Sequence, residues 1–198
     1  MLIVIEGLDG SGKTTQARLL AEHLRKRGKE VVLVEEPGTT EIGRAIRAIL
    51  LDHAERMEPL SELLLYEAAR AQLVREVVRP ALAAEKIVVA DRFALSSLAY
   101  QGYGRGLPLE LVERLNEIAT GGLEPDLTLL LDVLPEEGLR RKGCKDRMEG
   151  SGLEFYRRVR EGYLRSLPAP PHGRALDGSA HPEEVFRRIV AIVEGLDI

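Results

Sequence analysis

Residues 7–14 read GLDGSGKT and satisfy the phosphate-binding loop pattern of Gly, four variable residues, Gly-Lys and Ser or Thr. The apolar run LIVIEG at 2–7 leads into the motif, and the helical pattern KTTQARLLAEHLRKRG follows it. In this setting the backbone N–H groups of the loop converge on an anion, and the helix dipole also favours negative charge there. The alternative interpretation is a glycine-rich turn with a solvated lysine. The motif therefore predicts a buried strand, a tight loop and a helix in succession.

The residue types of this loop suit ATP and Mg²⁺. Glycines permit the backbone angles of a tight turn, Lys13 can reach the β and γ phosphates, and the Thr14 hydroxyl can ligate Mg²⁺. A phosphate loop alone serves kinases, GTPases, motor proteins and transporters, so it does not fix the chemistry. We expect these residues to bind ATP: Gly7, Leu8, Asp9, Gly10, Ser11, Gly12, Lys13, Thr14 and Thr15.

Apolar runs alternate with longer segments of helical periodicity, which is typical of stacked βαβ units with buried parallel strands. The fold class is α/β, and with the loop motif it becomes a P-loop NTPase three-layer α/β/α fold with a five-stranded parallel sheet. The predicted strands are 2–7, 30–36, 86–92, 127–133 and 174–178. The predicted helices are 13–27, 41–51, 60–84, 108–119, 136–142, 152–166 and 182–195. Glycine and proline predict breaks at 102–108, 121–126 and 168–173.

Composition narrows the class of protein. A chain of 198 residues with 44% apolar content suits one domain, 1–198. A net charge of −4 provides no positive field for long nucleic acid, and charges interrupt every apolar run before the roughly 20 residues of a membrane span. One cysteine, Cys144, excludes an internal disulfide framework, and the start MLIVIEG has neither a basic leader nor a long apolar run. We expect a cytoplasmic protein that binds small anions.

Ligands of a parallel sheet bind at the carboxyl ends of its strands, which directs attention to Asp91 and Arg92 after the third strand. Asp91 can hold Mg²⁺ or its water, and Arg92 can form paired hydrogen bonds with a phosphate. An equally weighted alternative for Asp91 is a helix cap.

A basic cluster follows the fourth strand. Charge on a transferred phosphoryl group is stabilised by cations delivered when a lid closes, and that closure also expels water. A lid at 136–152 is therefore one interpretation, and a solvated basic helix face is the other. The cluster consists of Arg140, Arg141, Lys142, Lys145 and Arg147.

Tyr66 and Arg70 lie four residues apart and share one face of a predicted helix. The ring can stack on a base, and the guanidinium can bond its edge. Standing alone, the pair is more simply interpreted as structural.

The ordered motifs together resemble the thymidylate kinase family, in its bacterial type with glycine in the phosphate loop and basic residues in the lid. The resemblance extends from the first strand to about Gly162 and implies a fold like that of the nucleoside monophosphate kinases. It is carried by EGLDGSGKTTQ at 6–16, EPGTTEIG at 36–43, LLLYEAAR at 63–70, DRFALSSLAYQGYGRG at 91–106 and DRMEGSGLEFYRRVREGY at 146–163.

The resemblance implies that ATP and dTMP are converted to ADP and dTDP in dTTP biosynthesis, with Mg²⁺ as cofactor, in a homodimer formed through the helices at 60–84 and 108–119. By motif position the metal residues are Thr14 and Asp91, and Arg141 and Arg147 join the ATP site from the lid. The implied catalytic residues are Asp9, Lys13, Arg92 and Arg147. The implied dTMP-binding residues are Asp9, Glu36, Pro37, Arg47, Tyr66, Arg70, Arg92, Ser96, Ser97, Tyr100 and Gln101.

Among these, the resemblance assigns stacking on thymine to Tyr66, bonds to the base to Arg70 and Gln101, and the acceptor phosphate to Arg92 and Arg47. Tyr100 stands where bulk beside the sugar discriminates against a 2′-hydroxyl.

Three sequence details qualify the resemblance. The family motif EPGGT reads EPGTT here, which places Thr39 at a flexible position, and the lid is shorter than in most bacterial members. Gly10 stands where some members carry a basic residue, so the catalytic cations are expected in the lid, with Arg147 first.

Two other functions compete with this one. A kinase of another nucleoside monophosphate or small metabolite would keep the loop and the lid. A GTP-binding switch would need an Asn-Lys-x-Asp base reader, whereas the sole asparagine, Asn116, precedes Glu117.

Overall fold

A computed structural model describes residues 1–52, 57–142 and 152–196, with Lys142 described by its backbone alone. Within these residues five strands form one sheet in the order β2-β3-β1-β4-β5, and each neighbouring pair is parallel. The α/β class and the five-stranded parallel sheet are therefore confirmed. The strands are β1 Leu2–Gly7, β2 Val31–Glu35, β3 Ile87–Asp91, β4 Leu127–Asp132 and β5 Gly173–Asp177.

The register of the sheet brings three strand ends level. Asp91 of β3 lies opposite both Ile5 of β1 and Glu35 of β2. The residues that follow these strands therefore leave the sheet at the same edge, which is where a parallel sheet binds ligands.

Side chains of β1 alternate between the two faces of the sheet. Ile3 and Ile5 belong to the apolar cluster formed with α1 and α9, and Leu2 and Val4 belong to the cluster on the opposite face. Burial on both faces explains why the strands are continuous apolar runs. Helices cover both faces, as predicted: α1 Lys13–Lys26, α2 Glu41–Leu51, α3 Pro59–Leu73, α4 Arg79–Ala83, α5 Ala94–Ser97, α6 Leu109–Thr120, α7 Pro135–Lys142, α8 Leu153–Ser166 and α9 Pro182–Glu194.

The helix predicted at 60–84 is not uniform. A π-helical turn, Val74–Val78, separates α3 from α4, and the N–H of Arg79 bonds to the carbonyl of Val74. Pro80 has no N–H and its ring would crowd the carbonyl four residues earlier, so a widened turn before it relieves the clash.

Sequence periodicity missed one helical segment. Residues 94–104 form α5 and a second π-helical stretch, Leu98–Gly104, so the break predicted at 102–108 begins after Gly104. The segment is short and contains serine and glycine, which are poor helix formers. Tertiary contacts hold it, because Ala99 and Tyr100 pack against α8.

No helix within the described ranges is both long and apolar enough to cross a membrane.

Candidate active site

The phosphate loop adopts a conformation that requires glycine. Gly7, Gly10 and Gly12 have φ values of 144°, 76° and 93°. A Cβ atom on Gly7 would lie 2.5 Å from the carbonyl oxygen of Leu131 on β4, so a side chain there is excluded. The loop turns tightly off β1, and α1 begins directly after it at Lys13.

Lys13 is folded back over this loop. Its Nζ donates to the carbonyl of Leu8 at 2.7 Å, and the residue is 6% exposed. Burial lowers the pKa of Lys13 to about 8, and the nearby Arg92 adds to the effect while Asp9 and Asp91 oppose it. The side chain is thus a buried cation beside the loop amides, placed to meet a phosphate.

Thr14 and Asp91 offer two adjacent oxygen ligands. The Thr14 hydroxyl donates to Asp91 Oδ2 at 2.5 Å, across the junction of α1 and the end of β3. Mg²⁺ prefers one or two protein oxygens together with substrate phosphates, so this pair has the right chemistry for it. Asp91 makes no capping bond to α5, so the alternative role as a helix cap is not supported in the described residues.

Arg92 is a second cation beside the phosphate loop. Its backbone has a φ of 72°, in the left-handed region. Its guanidinium donates to Asp9 Oδ1 at 2.7 Å and to the carbonyl of Gly7 at 3.1 Å, and it lies 5.0 Å from the ring centroid of Tyr100. Burial alone would lower the pKa of Arg92, but the surrounding Tyr100, Tyr163, Asp9 and Glu6 raise it well above its ordinary value. Arg92 therefore stays charged beside the phosphate loop.

One cavity, called the inner cavity below, opens between α3, the end of β2 and the Arg92 segment. It contains every residue predicted to bind the acceptor nucleotide, together with Leu51, which the sequence argument did not name. Its lining is Asp9, Glu36, Pro37, Arg47, Leu51, Tyr66, Arg70, Arg92, Ser96, Ser97, Tyr100 and Gln101.

Arg70 lines the inner cavity and is 1% exposed. Its Nε donates to Glu36 at 2.7 Å, and its Nη1 donates to Glu67 at 2.6 Å and to Asn116 at 2.5 Å. Burial raises the pKa of Glu36 to about 7, although Arg70 opposes this. Arg70 itself has its pKa raised by Glu36 and Glu67, against the lowering effect of burial. Arg70, which was predicted to bond the edge of the base, therefore also neutralises two buried carboxylates, those of Glu36 and Glu67.

Tyr66 and Gln101 line the same cavity. Tyr66 lines it and also packs on the apolar cluster of Ile46, Leu50 and Ala69, so its interpretation as a structural residue also has support. The Gln101 amide donates to the buried Glu62 at 2.8 Å, which holds the side chain in one orientation.

The loop after β2 is fixed by the residue that departs from the family motif. Thr39 Oγ1 accepts from the N–H of Glu35 at 2.8 Å and donates to the Glu35 carbonyl at 3.1 Å. Arg47 of α2 donates to the Pro37 carbonyl at 2.6 Å and pairs with Glu35 at 2.8 Å. Thr39, at the position where the family motif has glycine, therefore bonds the backbone at the end of the edge strand β2.

A second cavity, the loop cavity, runs along the phosphate loop. It shares Asp9, Glu36, Arg47 and Arg92 with the inner cavity, so the two are neighbours. Its lining is Asp9, Gly10, Gly12, Lys13, Thr14, Thr15, Glu35, Glu36, Arg47, Asp91, Arg92 and Arg141.

A third cavity, the outer cavity, continues past the loop to the segment between β5 and α9. This segment was not predicted as part of the site, although it follows the carboxyl end of β5, and ligands of a parallel sheet bind at the carboxyl ends of strands. The lining is Gly10, Ser11, Gly12, Thr15, Gln16, Arg141, Gly178, Ser179, Ala180, His181, Pro182 and Val185.

The start of the predicted lid lies directly on the phosphate loop. A Cβ atom on Gly10 would approach the carbonyl oxygen of Gly138 to 2.2 Å, and one on Gly138 would approach the Asp9 carbonyl oxygen to 2.6 Å. Arg141, one turn later on α7, donates to the carbonyls of Gly178 at 2.9 Å and Ser179 at 3.1 Å. The first turns of the lid therefore connect the loop cavity with the outer cavity.

Two residues of the basic cluster fit different interpretations, one a lid over the phosphates and the other a solvated helix face. Arg141 lines the loop and outer cavities, whereas Arg140 has 74% side-chain exposure and pairs with Glu137, as a solvated helix face would. Lys145 and Arg147 lie outside the described residues, as does the side chain of Lys142, so the role of Arg147 stays a prediction.

Comparisons with known proteins agree with this geometry. The sequence profile of the family described as thymidylate kinase matches residues 5–189. A thymidylate kinase of Chlorobium luteolum is 52% identical over 183 residues, which cover 86% of this chain and 86% of the relative. One of Caldanaerobacter subterraneus subsp. tengcongensis is 48% identical over 195 residues, covering 97% of this chain and 94% of the relative. The crystal structure of thymidylate kinase from Ehrlichia chaffeensis matches with a TM-score of 0.79 at 36% identity and covers 98% of each chain.

Proposed function

Because this chain belongs to the thymidylate kinase family, we infer that it is a phosphotransferase that moves the terminal phosphoryl group of ATP to dTMP and releases ADP and dTDP. One observation supports this most directly: the inner, loop and outer cavities adjoin in a row along one edge of the sheet. Two nucleotides bound end to end would have their phosphates meeting in the loop cavity. The rate enhancement then comes mainly from alignment and charge stabilisation.

ATP is assigned to the loop and outer cavities. Its phosphates would lie on the amides of the loop and near Lys13, and its base would lie against the 178–182 segment. Arg141 borders both cavities and contributes a cation on the side of the loop opposite Arg92.

Thr14 and Asp91 would hold Mg²⁺, and the bound ion would neutralise charge on the donor phosphates. Since Asp91 is 6% exposed and lies beside Lys13, its charge also balances the lysine when no nucleotide is present.

dTMP is assigned to the inner cavity. Its phosphate would lie between Arg92 and Arg47, which face the border with the loop cavity. Asp9 pairs with Arg92 and accepts from the Tyr100 hydroxyl at 3.1 Å. Its carboxylate would lie close enough to the sugar of dTMP to accept a hydrogen bond from a sugar hydroxyl. Tyr100 narrows the cavity at that level and would disfavour a 2′-hydroxyl.

The base of dTMP would occupy the part of the inner cavity that the loop cavity does not share, with its face on Tyr66 and its edge toward Arg70 and Gln101. The donors of Arg70 already serve Glu36, Glu67 and Asn116, so a base carbonyl bonds to this arginine by sharing it with the carboxylates. A thymine offers an acceptor at that edge, whereas the amino group of cytosine would meet a cation.

The cations that stabilise charge on the transferred phosphoryl group are expected in the lid rather than at position 10 of the phosphate loop. Gly138 occupies the space that a side chain at position 10 would need, so a basic residue there is sterically excluded in this chain. Arg141 is the described lid cation that borders the phosphates, and Arg147 is proposed to join it on closure.

The chain is proposed to act as one domain and as a homodimer in the cytoplasm. Helix α3 packs on α2 and α6, and apolar side chains stay exposed on all three helices, which extends the interface predicted for 60–84 and 108–119. Analytical ultracentrifugation of the protein and of a Leu64→Arg variant tests this, because a charge in the interface would yield a monomer. The exposed large apolar residues of these helices are Ile42, Ile49, Leu60, Leu64, Leu109, Leu111 and Ile118.

A substrate panel tests the proposed activity. With Mg-ATP and a coupled assay of ADP release, the protein should phosphorylate dTMP far faster than dCMP, AMP or GMP. Equal or faster turnover of another monophosphate would assign the inner cavity to that nucleotide and refute the proposed specificity. A Lys13→Ala variant controls for contaminating kinases, since it removes the buried cation of the loop.

A further inference from the structure

Glu6 is an ionisable residue inside a strand that is otherwise apolar. It belongs to β1, and Leu2, Ile3, Val4 and Ile5 precede it. Its exposure is 0%, and it lines none of the inner, loop and outer cavities. A buried carboxylate is costly unless its oxygens accept several hydrogen bonds, so its contacts indicate why it is there.

Both carboxylate oxygens of Glu6 are engaged by the segment that follows β3 and by α8. Oε1 accepts from the backbone N–H of Phe93 at 2.8 Å and of Ser96 at 3.2 Å. Oε2 accepts from the Ser96 hydroxyl at 2.6 Å and from the Tyr163 hydroxyl at 3.1 Å. Four donors from three residues therefore surround one side chain of β1.

These bonds fix the backbone of Arg92. The left-handed conformation of Arg92, with a φ of 72°, is unfavourable for a residue with a side chain and persists only when neighbouring groups hold it. The N–H of Arg92 bonds to the Ile5 carbonyl at 3.0 Å, and the next N–H, that of Phe93, bonds to Glu6. Two successive residues of β1 thus hold both sides of the strained residue.

The same bonds also orient the guanidinium of Arg92. Its Nη1 donates to Ser96 Oγ at 3.1 Å and to the Tyr163 hydroxyl oxygen at 2.8 Å. The Ser96 hydroxyl donates to Glu6, and the Tyr163 hydroxyl donates to Glu6 or to Ser96 Oγ, which lies 2.8 Å away, so a lone pair of each oxygen is left for the arginine. Glu6 therefore sets two acceptors for a cation that it does not itself contact.

We propose that Glu6 is a positioning residue that aims Arg92 at the phosphate of the acceptor nucleotide. The proposal rests on the proposed function for the identity of that nucleotide, but the placement of Arg92 does not depend on which monophosphate is bound. Glu6 acts through the backbone of residues 92–93 and through the hydroxyls of Ser96 and Tyr163.

Glu6→Gln tests the proposal with nearly the same side-chain volume. The amide nitrogen would donate where Oε2 accepted, so the Ser96 and Tyr163 hydroxyls would turn their protons away from it and toward Arg92. We expect kcat/KM for dTMP and the affinity for dTMP to fall about 10- to 100-fold, the range for losing a hydrogen bond to a charged group, while KM for ATP stays within about twofold. Equal losses for both nucleotides would indicate a general structural role and overturn the proposal.

A double-mutant cycle with Arg92→Ala gives the decisive result. If Glu6 acts through Arg92, Glu6→Gln changes the dissociation constant for dTMP by less than about twofold in the Arg92→Ala background. Calorimetry measures this constant even when turnover is very slow. The same loss in both backgrounds would show that Glu6 acts independently of Arg92 and would refute the inference.

Two further variants separate positioning from stability. Tyr163→Phe removes one of the hydroxyls between Glu6 and Arg92 and should reduce dTMP affinity in the same direction, with a smaller effect. Asp132→Asn is the matched control: it neutralises a carboxylate at the end of the neighbouring strand β4, whose partner is Arg160 at 2.7 Å. The Asp132→Asn variant should keep kcat/KM for dTMP within about twofold of the wild-type value, whatever its effect on the melting temperature. A loss of dTMP affinity in this control as large as in Glu6→Gln would remove the basis for a specific role.

Failure of the proposed function is distinguishable from failure of this inference. If the panel selects another monophosphate, the cycle is run with that substrate. The assignment to dTMP then falls, and the coupling between Glu6 and Arg92 still decides the role of Glu6.

Discussion

Replacing Arg70 by alanine should destabilise the protein as well as weaken substrate binding. Arg70 is the cation shared by Glu36 and Glu67, which are 3% and 5% exposed. Removing one partner of a buried ion pair costs about 3–5 kcal/mol because the remaining charge stays buried. For a domain of this size that corresponds to a fall of about 6–20 °C in melting temperature. Urea denaturation of the wild type and of the variant measures the free energy of unfolding directly.

The stability lost in the Arg70→Ala variant should depend on pH. Burial raises the pKa of Glu36 to about 7 even with Arg70 present, from a model-compound value of 4.5, and removing the arginine removes the influence that lowers it. A carboxyl whose pKa is raised by folding contributes its stability at pH values below the unfolded pKa and loses it as the pH rises through the folded pKa. The penalty for Arg70→Ala should therefore be larger at pH 8 than at pH 5. An equal penalty at both pH values, or one below about 1 kcal/mol, would refute this account of the cluster.

Two control variants accompany this experiment. Arg114→Ala removes an exposed arginine that pairs with Glu117 on the surface of α6, and it should change stability by no more than about 0.5 kcal/mol. Glu36→Gln combined with Glu67→Gln in the Arg70→Ala background removes both unpaired charges and should restore most of the lost stability. At a temperature where the single variant is folded, its KM for dTMP should rise about 10- to 100-fold with little change for ATP.

Three other predictions follow from the phosphate loop and its neighbours. Burial lowers the pKa of Lys13 to about 8, so the lysine loses its charge as the pH increases from 7 to 9 and KM for ATP should rise. Lys13→Arg should remove this pH dependence. A KM for ATP that stays constant over this pH range in the wild type would contradict the prediction. Gly138→Ala should raise KM for ATP at least severalfold, because its Cβ would lie 2.6 Å from the Asp9 carbonyl oxygen. Unchanged ATP kinetics would show that α7 can move away from the loop without affecting ATP binding. Thr39→Ala should cost about 1 kcal/mol in urea denaturation because the N–H of Glu35 loses its 2.8 Å partner; no measurable loss would mean that water replaces the hydroxyl.

Much of the sheet and of the site follows from local sequence. Strands such as β1 and β3 are buried on both faces, so each is a continuous apolar run with clear ends, and the register then brings their carboxyl ends together. The residues at those ends, including Arg92, had to meet at one edge whatever the details of the helices. The family resemblance supplied the roles of Tyr66 and Arg70, whose spacing alone did not distinguish a binding site from a packed core, and it alone supplied the role of Gln101.

The parts that sequence did not predict depend on long-range contacts. The segment 94–104 is helical because Glu6 accepts from the N–H groups at its start and because Tyr100 packs on α8, and no periodic pattern records either cause. The double role of Arg70 was also hidden, since Glu36 is 34 residues away in sequence. The outer cavity was missed because residues 178–182, GSAHP, contain no acidic residue, lysine or arginine to mark them.

The contact between Gly10 and Gly138 has a consequence for how such enzymes diverge. A mutation that gave the loop a basic side chain would collide with the backbone of α7, and an added side chain on α7 would collide with the loop. Neither change is tolerated while α7 and the loop keep their present separation. A basic residue at position 10 would therefore require a shift of α7 as well as the substitution itself, so one amino-acid change alone does not move a cation from the lid to the loop.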